Sequence, residues 1–215
     1  MREHSLLSNL LRAQLERGIA ALHLELPEAT VDQLMAYLQL LVKWNKAYNL
    51  TAIRNAEEMV DKHLLDSLSV VPHIRAQRLL DVGTGAGLPG MILAIVYPER
   101  QFTLLDTNGK KTRFLVQAKA ELGLDNVTVE NRRVESWQPE QLFEVVMSRA
   151  FSSIVDMVNW TQHLVQDDGL ILAMKGQFPD MELSQLPSGF ILSSSQQLVV
   201  PGLDGERHLL EIKRS

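Results

Sequence analysis

Apolar residues in the first 78 residues recur at the three- and four-residue intervals that are typical of amphipathic helices. The clearest members of this pattern are Leu34, Leu38, Leu41, Val42, Met59 and Leu64. Pro27 followed by Glu28 marks the start of one helix, and Asn55, with two acidic residues close behind it, marks the capped start of another. The pattern therefore predicts that residues 1–78 are helical throughout.

From residue 79 onwards, short apolar runs alternate with longer amphipathic segments. The runs predicted to be strands are Leu79–Gly83, Phe102–Asp106, Val127–Glu130, Phe143–Ser148 and Leu170–Lys175. The segments predicted to be helices are Met91–Tyr97, Lys110–Gly123 and Ile154–Val165. Strands and helices that alternate at these lengths are typical of a parallel sheet with helices on both faces.

Two further apolar runs, Phe190–Val200 and His208–Ile212, are joined by a loop that is too short for a parallel crossover. We therefore predict an α/β fold whose seven-stranded, mostly parallel sheet ends in an antiparallel hairpin. In this interpretation residues 79–215 form the sheet domain and residues 1–78 form an N-terminal helical extension. No linker long enough to separate two independent domains lies between them.

Composition and charge exclude several classes of protein. The net charge of −5 argues against a polybasic nucleic-acid-binding arm. The absence of cysteine excludes disulfides, thiolate metal sites and a cysteine nucleophile, and we expect no metal cofactor. The N-terminal 18 residues carry a charge in every turn, unlike a signal peptide or a membrane anchor. We therefore expect a soluble cytoplasmic protein that does not associate with membranes.

The segment Leu79–Gly90 (LLDVGTGAGLPG) predicts a strand that runs through a glycine-rich turn into a helix. Such a turn brings backbone N–H groups close to a ligand. Its glycines, including Gly83 and Gly85, follow a GxGxG pattern, whereas a dinucleotide site would need another glycine at Leu88. A nucleoside ligand without a pyrophosphate fits this pattern better, and S-adenosylmethionine is the common one.

An acidic residue, Asp106, ends the second predicted strand, where its carboxylate can accept both hydroxyl groups of a ribose. Its alternative role is to cap the helix that begins near Asn108, and one residue can do both. Asp81 has a similar alternative as a turn or cap residue. The adenine would lie beyond the third strand, near the backbone of Val134 and Glu135.

The chain lacks the groups that several methyl-transfer reactions require. Without cysteine it cannot methylate carbon 5 of a pyrimidine, and without a Pro-Pro sequence it lacks the usual turn for exocyclic amines. A ring nitrogen such as guanine N7 carries a lone pair and needs no general base. Arg149 follows the predicted fourth strand and could contact the methionine carboxylate, a phosphate or guanine O6; Lys175 ends the fifth strand, where it could instead be a surface lysine.

Two further features could guide an RNA substrate. His63 and Asp66 share one face of a predicted helix, either at the cofactor cleft or as a pair that docks the helical extension onto the sheet. Residues 100–133 hold seven Lys or Arg residues against four acidic ones, although such clusters are often only solvated surfaces.

Several motifs together resemble one family. They are Trp44-Asn45, Asn49–Ile53 (NLTAI), Lys62–Leu68 (KHLLDSL), Leu79–Gly90, Leu104–Asp106, Lys110-Lys111, Phe114-Leu115, Arg133–Glu135, Ser148–Ala150 and Lys175-Gly176. The chain is similar in these motifs to the glucose-inhibited division protein B family, the bacterial small-subunit ribosomal RNA guanine-N7 methyltransferases. The resemblance runs from about Lys43 to about Gly176.

The resemblance implies a class I, Rossmann-like methyltransferase fold with a helical extension. It implies transfer of methyl from S-adenosylmethionine to N7 of guanine 527, in the decoding-centre loop of 16S rRNA, on the 30S subunit. The cofactor contacts that it implies are Gly83, Leu88, Val134, Glu135 and Arg149, with Asp106 at the ribose. We expect Arg149, His63 and Lys175 to act by positioning, without a general base, in a monomeric protein.

Three other functions remain open at this stage. A nicotinamide-dependent oxidoreductase could use the same glycine-rich turn, although the glycine spacing disfavours it. A non-catalytic ribosome-binding module could retain the cofactor fold, and a methyltransferase with this fold could act on another RNA, a small molecule or a protein.

Overall fold

The computed structural model describes residues 2–149 and 151–215, with the side chains of residues 2–5 left out of the description. One seven-stranded sheet forms its centre, with the strand order β3-β2-β1-β4-β5-β7-β6. The strands are β1 (Arg78–Val82), β2 (Gln101–Asp106), β3 (Val127–Asn131), β4 (Phe143–Ser148), β5 (Val165–Lys175), β6 (Phe190–Gln197) and β7 (His208–Arg214). Strands β1–β5 pair in parallel, and β7 is antiparallel to both β5 and β6. The predicted sheet and its terminal hairpin are thereby confirmed.

The α-helices are α1 (Arg2–Ala21), α2 (Glu28–Tyr48), α3 (Ala56–Met59), α4 (Asp66–Leu68), α5 (Gly90–Val96), α6 (Gly109–Leu122), α7 (Ile154–Thr161) and α8 (Asp180–Leu183). The bounds of α5 and α6 lie within one residue of the predicted ones. Residues 1–78 are not helical throughout as predicted, because loops at residues 22–27 and 49–55 separate their helices. The Asn55 side chain accepts hydrogen bonds from the N–H groups of Glu57 and Glu58, as expected for a helix cap. A further cap, Asn108, begins α6, which ends at Gly123 in the left-handed conformation.

Three boundaries in the sheet domain differ from the sequence prediction by three residues or more. The helix predicted over Ile154–Val165 ends at Thr161, because a 3₁₀ turn leads directly into β5, which begins at Val165 instead of Leu170. Strand β6 ends at Gln197, and the apolar residues beyond it, Leu198 and Val200, pack into the core from a loop. The short helix α8 has no predicted counterpart because four residues are too few to show a helical period.

The helical extension shares its hydrophobic core with one face of the sheet. Leu34 and Leu41 of α2 belong to the same buried cluster as Leu79 of β1 and Leu104 of β2. A second buried cluster covers the opposite face, where α7 packs on the central strands. No helix in the described part of the chain is both long enough and apolar enough to span a membrane.

A π-helical turn, Val60–Leu65, connects α3 to α4 in one continuous helical segment. π-helical turns inside helices are frequent at functional sites. This one carries His63 and leads directly to Asp66, and both side chains are buried. The loop between β6 and β7 packs against it so closely that a Cβ atom at Gly202 would lie 2.7 Å from the Asp61 carboxyl group.

Candidate active site

The glycine-rich turn follows β1 at the carboxyl edge of the sheet. Gly83, Gly85 and Gly87 all have positive φ angles, of 66°, 62° and 92°, which favour glycine over residues with a side chain. The N–H groups of Gly83 and Thr84 donate to the Leu105 carbonyl oxygen at 2.8 and 3.2 Å. These bonds hold the turn against the end of β2.

The Asp106 carboxylate, at the end of β2, faces this turn and is 7% exposed. Its Oδ2 atom accepts from the Gly85 N–H at 2.9 Å, and its Oδ1 atom accepts from the Asn108 N–H at 2.8 Å. A carboxylate oxygen has two acceptor positions, so each oxygen retains one for a further donor. Asp106 therefore supports the start of α6 and still has the capacity to accept two ribose hydroxyl groups.

Asp81, by contrast, holds the turn together from inside. Its Oδ2 atom accepts from the Thr84 hydroxyl at 2.7 Å and from the Gly90 N–H at 2.8 Å. Burial raises the pKa of Asp81 to about 6. Since Asp81 is 2% exposed and bonded to both ends of the turn, its role in this structure is that of a turn and cap residue.

A first cavity of about 480 Å³ opens beside the turn. Its lining is Val82, Gly83, Leu105, Asp106, Thr107, Arg133, Val134, Glu135, Ser148, Phe151, Ser152 and Trp160. Four of the predicted cofactor residues, Gly83, Asp106, Val134 and Glu135, thus lie together. The other three predicted cofactor residues, Gly85, Leu88 and Arg149, do not line this cavity. Gly85 is nevertheless hydrogen-bonded to Asp106, which does.

Sequence reasoning missed the aromatic wall of the first cavity. The rings of Phe151 and Trp160 meet edge to face with their centroids 5.7 Å apart. Trp160 is 43% exposed and lies outside the buried face of α7, which is formed by Ile154, Met157, Val158 and Thr161. A tryptophan outside the buried stripe of a predicted amphipathic helix was the available signal.

A second cavity of about 440 Å³ lies next to the first. It is lined by Ile53, Lys62, His63, Asp66, Arg149, Met174, Lys175, Gly176, Leu198, Arg207 and His208. The structure thus brings together the three predicted positioning residues, Arg149, His63 and Lys175, although they come from three separate elements. Ser148 lines the first cavity and Arg149 the second, so the end of β4 forms a wall between them. Ala150, the last residue of that predicted motif, lies outside the described residues.

Two arginines form ion pairs with the buried Asp66 carboxylate. Arg149 Nη1 donates to its Oδ2 atom at 2.9 Å, and Arg207 Nε donates to its Oδ1 atom at 3.0 Å. Arg149 Nη1 also donates to the Lys62 carbonyl oxygen at 3.1 Å. Asp66 is 3% exposed, so both guanidinium groups are fixed by a charge that water screens poorly. Arg207 directly precedes β7, where no sequence motif pointed to a site residue.

His63 is a neutral hydrogen-bonding residue in this arrangement. Its Nδ1 atom lies 3.0 Å from the Lys62 carbonyl oxygen, which can only accept, so Nδ1 carries the proton. Its Nε2 atom then accepts from the Thr51 hydroxyl at 2.9 Å. Burial, together with the nearby positive charge of Arg149, lowers the pKa of His63 to about 4.

This lowered pKa makes a prediction about stability. The unfolded chain protonates His63 as the pH falls below about 6.5, whereas the folded chain keeps it neutral down to about 4. The contribution of neutral His63 is therefore fully present above pH 6.5 and is lost as the pH falls toward 4. We therefore compare the unfolding free energy of the wild type with that of His63→Gln. The difference, wild type minus variant, should increase by about 1.4 kcal/mol for each unit by which the pH is raised from 4 to 6.5.

Urea denaturation of both proteins at several pH values measures this difference. Asp81, whose pKa is raised to about 6, has the opposite pH dependence, but it is present in both proteins and cancels. A difference that stays constant between pH 4 and 6.5 would contradict a neutral, buried His63.

Lys175 has an ionic partner, Glu182, at 2.9 Å. The same carboxylate accepts from the Ile154 N–H at 2.6 Å and so connects α8 to the start of α7. Lys175 therefore orders the segment beside the second cavity, and part of its charge is neutralised there.

Several basic residues of the helical extension lie at its surface. Lys43, Lys46 and Arg54 are exposed, and Arg54 donates to the Asn49 side chain at 3.1 Å. Asn49 itself ends α2 in the left-handed conformation. Lys62 is also exposed but is paired with Glu58 at 2.6 Å.

Comparison with known proteins places this geometry in context. A family model described as rRNA small subunit methyltransferase G matches residues 30–210. Relatives named ribosomal RNA small subunit methyltransferase G occur in Ectopseudomonas mendocina (56% identical over 204 residues, covering 94% of this chain and 95% of the relative) and in Saccharophagus degradans (55% identical over 199 residues, covering 93% and 89%). These matches span both the helical extension and the sheet.

A solved structure extends the comparison to the fold. A putative O-methyltransferase from Klebsiella pneumoniae is similar with a TM-score of 0.58 and 16% identity, covering 83% of this chain and 90% of that one. At such low identity the similarity concerns the fold alone, and it confirms the predicted class I methyltransferase architecture.

Proposed function

The chain belongs to the rRNA small subunit methyltransferase G family, and on that premise we propose that it transfers a methyl group from S-adenosylmethionine to N7 of guanine 527 in 16S rRNA. The observation that carries the proposal is the pair of cavities on either side of the end of β4. One offers acceptors suited to a nucleoside, and the other offers cationic groups suited to a nucleotide.

The residues of the first cavity fit S-adenosylmethionine. Asp106 has free acceptor positions for the ribose hydroxyl groups, and the backbone of Val134 and Glu135 lines the place expected for the adenine. Phe151 and Trp160 supply an apolar wall. When bound there, S-adenosylmethionine supplies a sulfonium methyl group, whose bond to sulfur breaks as guanine N7 donates its lone pair to the carbon.

The second cavity suits an acceptor that needs no base. His63 is neutral, and its Nε2 lone pair is already used by Thr51, so it is poorly placed to remove a proton. Guanine N7 has no proton to lose, which agrees with this arrangement. We assign to Arg149, held by Asp66 at the wall between the cavities, the role of orienting the reacting groups.

The proposal also concerns the organisation of the chain and its partner. We propose that residues 1–78 serve as the helical extension of a methyltransferase domain formed by residues 79–215. The two share one core, which would keep Ile53 and His63 of the extension aligned with Arg149. The protein would act as a monomer on the 30S subunit, in the cytoplasm where ribosomes are assembled.

Mapping of N7-methylguanine tests the proposal. The purified protein and labelled S-adenosylmethionine are incubated with 30S subunits, or with naked 16S rRNA, from cells that lack the protein. Borohydride and aniline cleavage should then reveal one new site, in the decoding-centre loop. Label on another RNA, a small molecule or a protein would contradict the proposal, and rRNA binding without transfer would indicate a non-catalytic module.

A further inference from the structure

A tyrosine of the helical extension reaches the glycine-rich turn. Tyr37 lies in α2 and is fully buried, and its hydroxyl group donates to the Ala86 carbonyl oxygen at 2.7 Å. Its ring packs against Phe114 of α6, with a centroid distance of 6.2 Å. One side chain of the extension therefore contacts both the turn after β1 and the helix after β2.

Ala86 directly follows Gly85, the residue of the turn whose N–H group contacts Asp106. The neighbouring Gly85 N–H donates to Asp106, and Thr84 on the other side of Gly85 is held by Asp81. Asp106 and Asp81 are residues of the sheet, whereas the hydrogen bond to the Ala86 carbonyl oxygen is donated by a residue of the helical extension. A shift of Ala86 is transmitted to Gly85 through the backbone and so changes the position of the N–H group that orients Asp106.

We propose that Tyr37 is a positioning residue for the cofactor, through which the helical extension fixes the shape of the S-adenosylmethionine site. This inference rests on the proposed function in one respect, namely that the turn and Asp106 hold the cofactor. The extension then has a part in cofactor affinity, independent of any contact that it makes with RNA.

Removal of one oxygen atom tests this role. In Tyr37→Phe the ring stays, but the buried Ala86 carbonyl loses its donor, so the turn can relax. We expect the dissociation constant for S-adenosylhomocysteine to rise about tenfold. The KM for S-adenosylmethionine should rise by a similar factor, with little change in kcat or in the KM for 30S subunits.

Tyr97→Phe provides the matched control. The Tyr97 hydroxyl donates to the Val71 carbonyl oxygen at 2.8 Å, so the same group is lost from the same kind of bond. Tyr97 directly follows α5 and makes no described hydrogen bond to the glycine-rich turn. We expect a decrease in Tm for both variants but unchanged cofactor affinity for Tyr97→Phe.

Isothermal titration with S-adenosylhomocysteine is carried out at a temperature where circular dichroism shows all three proteins folded. An unchanged dissociation constant for Tyr37→Phe would overturn the inference, and so would an equal loss in Tyr97→Phe, which would indicate general loosening. Because this binding needs no RNA, failure of rRNA methylation by the wild type would reject the proposed function and leave the Tyr37 result to be judged separately. A wild type that does not bind the ligand would overturn both.

Discussion

Replacement of Asp106 with alanine is expected to weaken the binding of S-adenosylmethionine about a thousandfold. Two ribose hydroxyl groups would lose a charged acceptor, and each such hydrogen bond contributes about 2 kcal/mol. The Gly85 N–H loses its acceptor in the same change, so the glycine-rich turn also loses part of its support. The effect should therefore exceed that of any other single substitution in the first cavity.

Isothermal titration measures this loss, with two variants for comparison. Asp106→Asn keeps one carbonyl oxygen and the side-chain shape, and it should retain part of the affinity. Asp125→Ala removes an exposed carboxylate from the loop after α6 and should leave the affinity unchanged. An Asp106→Ala protein that binds within about tenfold of the wild type would show that Asp106 serves only to support the turn at Gly85 and the start of α6 at Asn108.

Replacement of Arg149 with alanine should lower kcat at least about a hundredfold while the chain remains folded. Arg149 stands at the wall between the two cavities, and its guanidinium group is fixed by Asp66 and by the Lys62 carbonyl oxygen. Asp66 keeps its second partner, Arg207, which limits the penalty of leaving a buried carboxylate unpaired. Arg149→Lys keeps the charge but cannot reproduce these contacts, and it should restore little activity.

Single-turnover methylation of 30S subunits measures the chemical step separately from product release. Arg75→Ala is the matched control, because Arg75 is exposed and lies just before β1. It is therefore at the amino-terminal end of the strand, whereas the site is at the carboxyl end. Activity of Arg149→Ala close to that of Arg75→Ala would exclude a role for Arg149 in the reaction.

The parallel sheet and the cofactor side of the site could be predicted because their signals are local. The alternation of apolar runs with amphipathic segments specifies β1–β5, and the short loop before His208 requires an antiparallel final pair. The glycine-rich turn directly follows the first predicted strand, and Asp106 is the last residue of the second. The carboxyl ends of neighbouring parallel strands lie at the same edge of a sheet. Their bond through Gly85 follows from this topology.

The acceptor side could be predicted only in part, because its contacts join distant segments. Arg207 meets Asp66 across 141 residues of sequence, and Tyr37 meets Ala86 across 49. No periodicity or spacing encodes such pairs. The π-helical turn that brings His63 and Asp66 to the cavity is likewise invisible in a pattern that is otherwise helical. His63 and Asp66 line the same cavity, as expected for two residues on one helix face. Their hydrogen-bond partners could not be predicted: His63 bonds to Thr51, and Asp66 bonds to two arginines.

The central claim is that the carboxyl edge of the sheet holds the adenosyl group between the glycine-rich turn and Asp106, with its sulfur directed toward the wall at Arg149. A crystal structure of the protein with S-adenosylhomocysteine tests this most directly. Our account predicts both ribose hydroxyl groups within hydrogen-bonding distance of the Asp106 carboxylate and the adenine beside Val134 and Glu135. A ligand seated away from the first cavity, or a ribose that Asp106 does not contact, would contradict it.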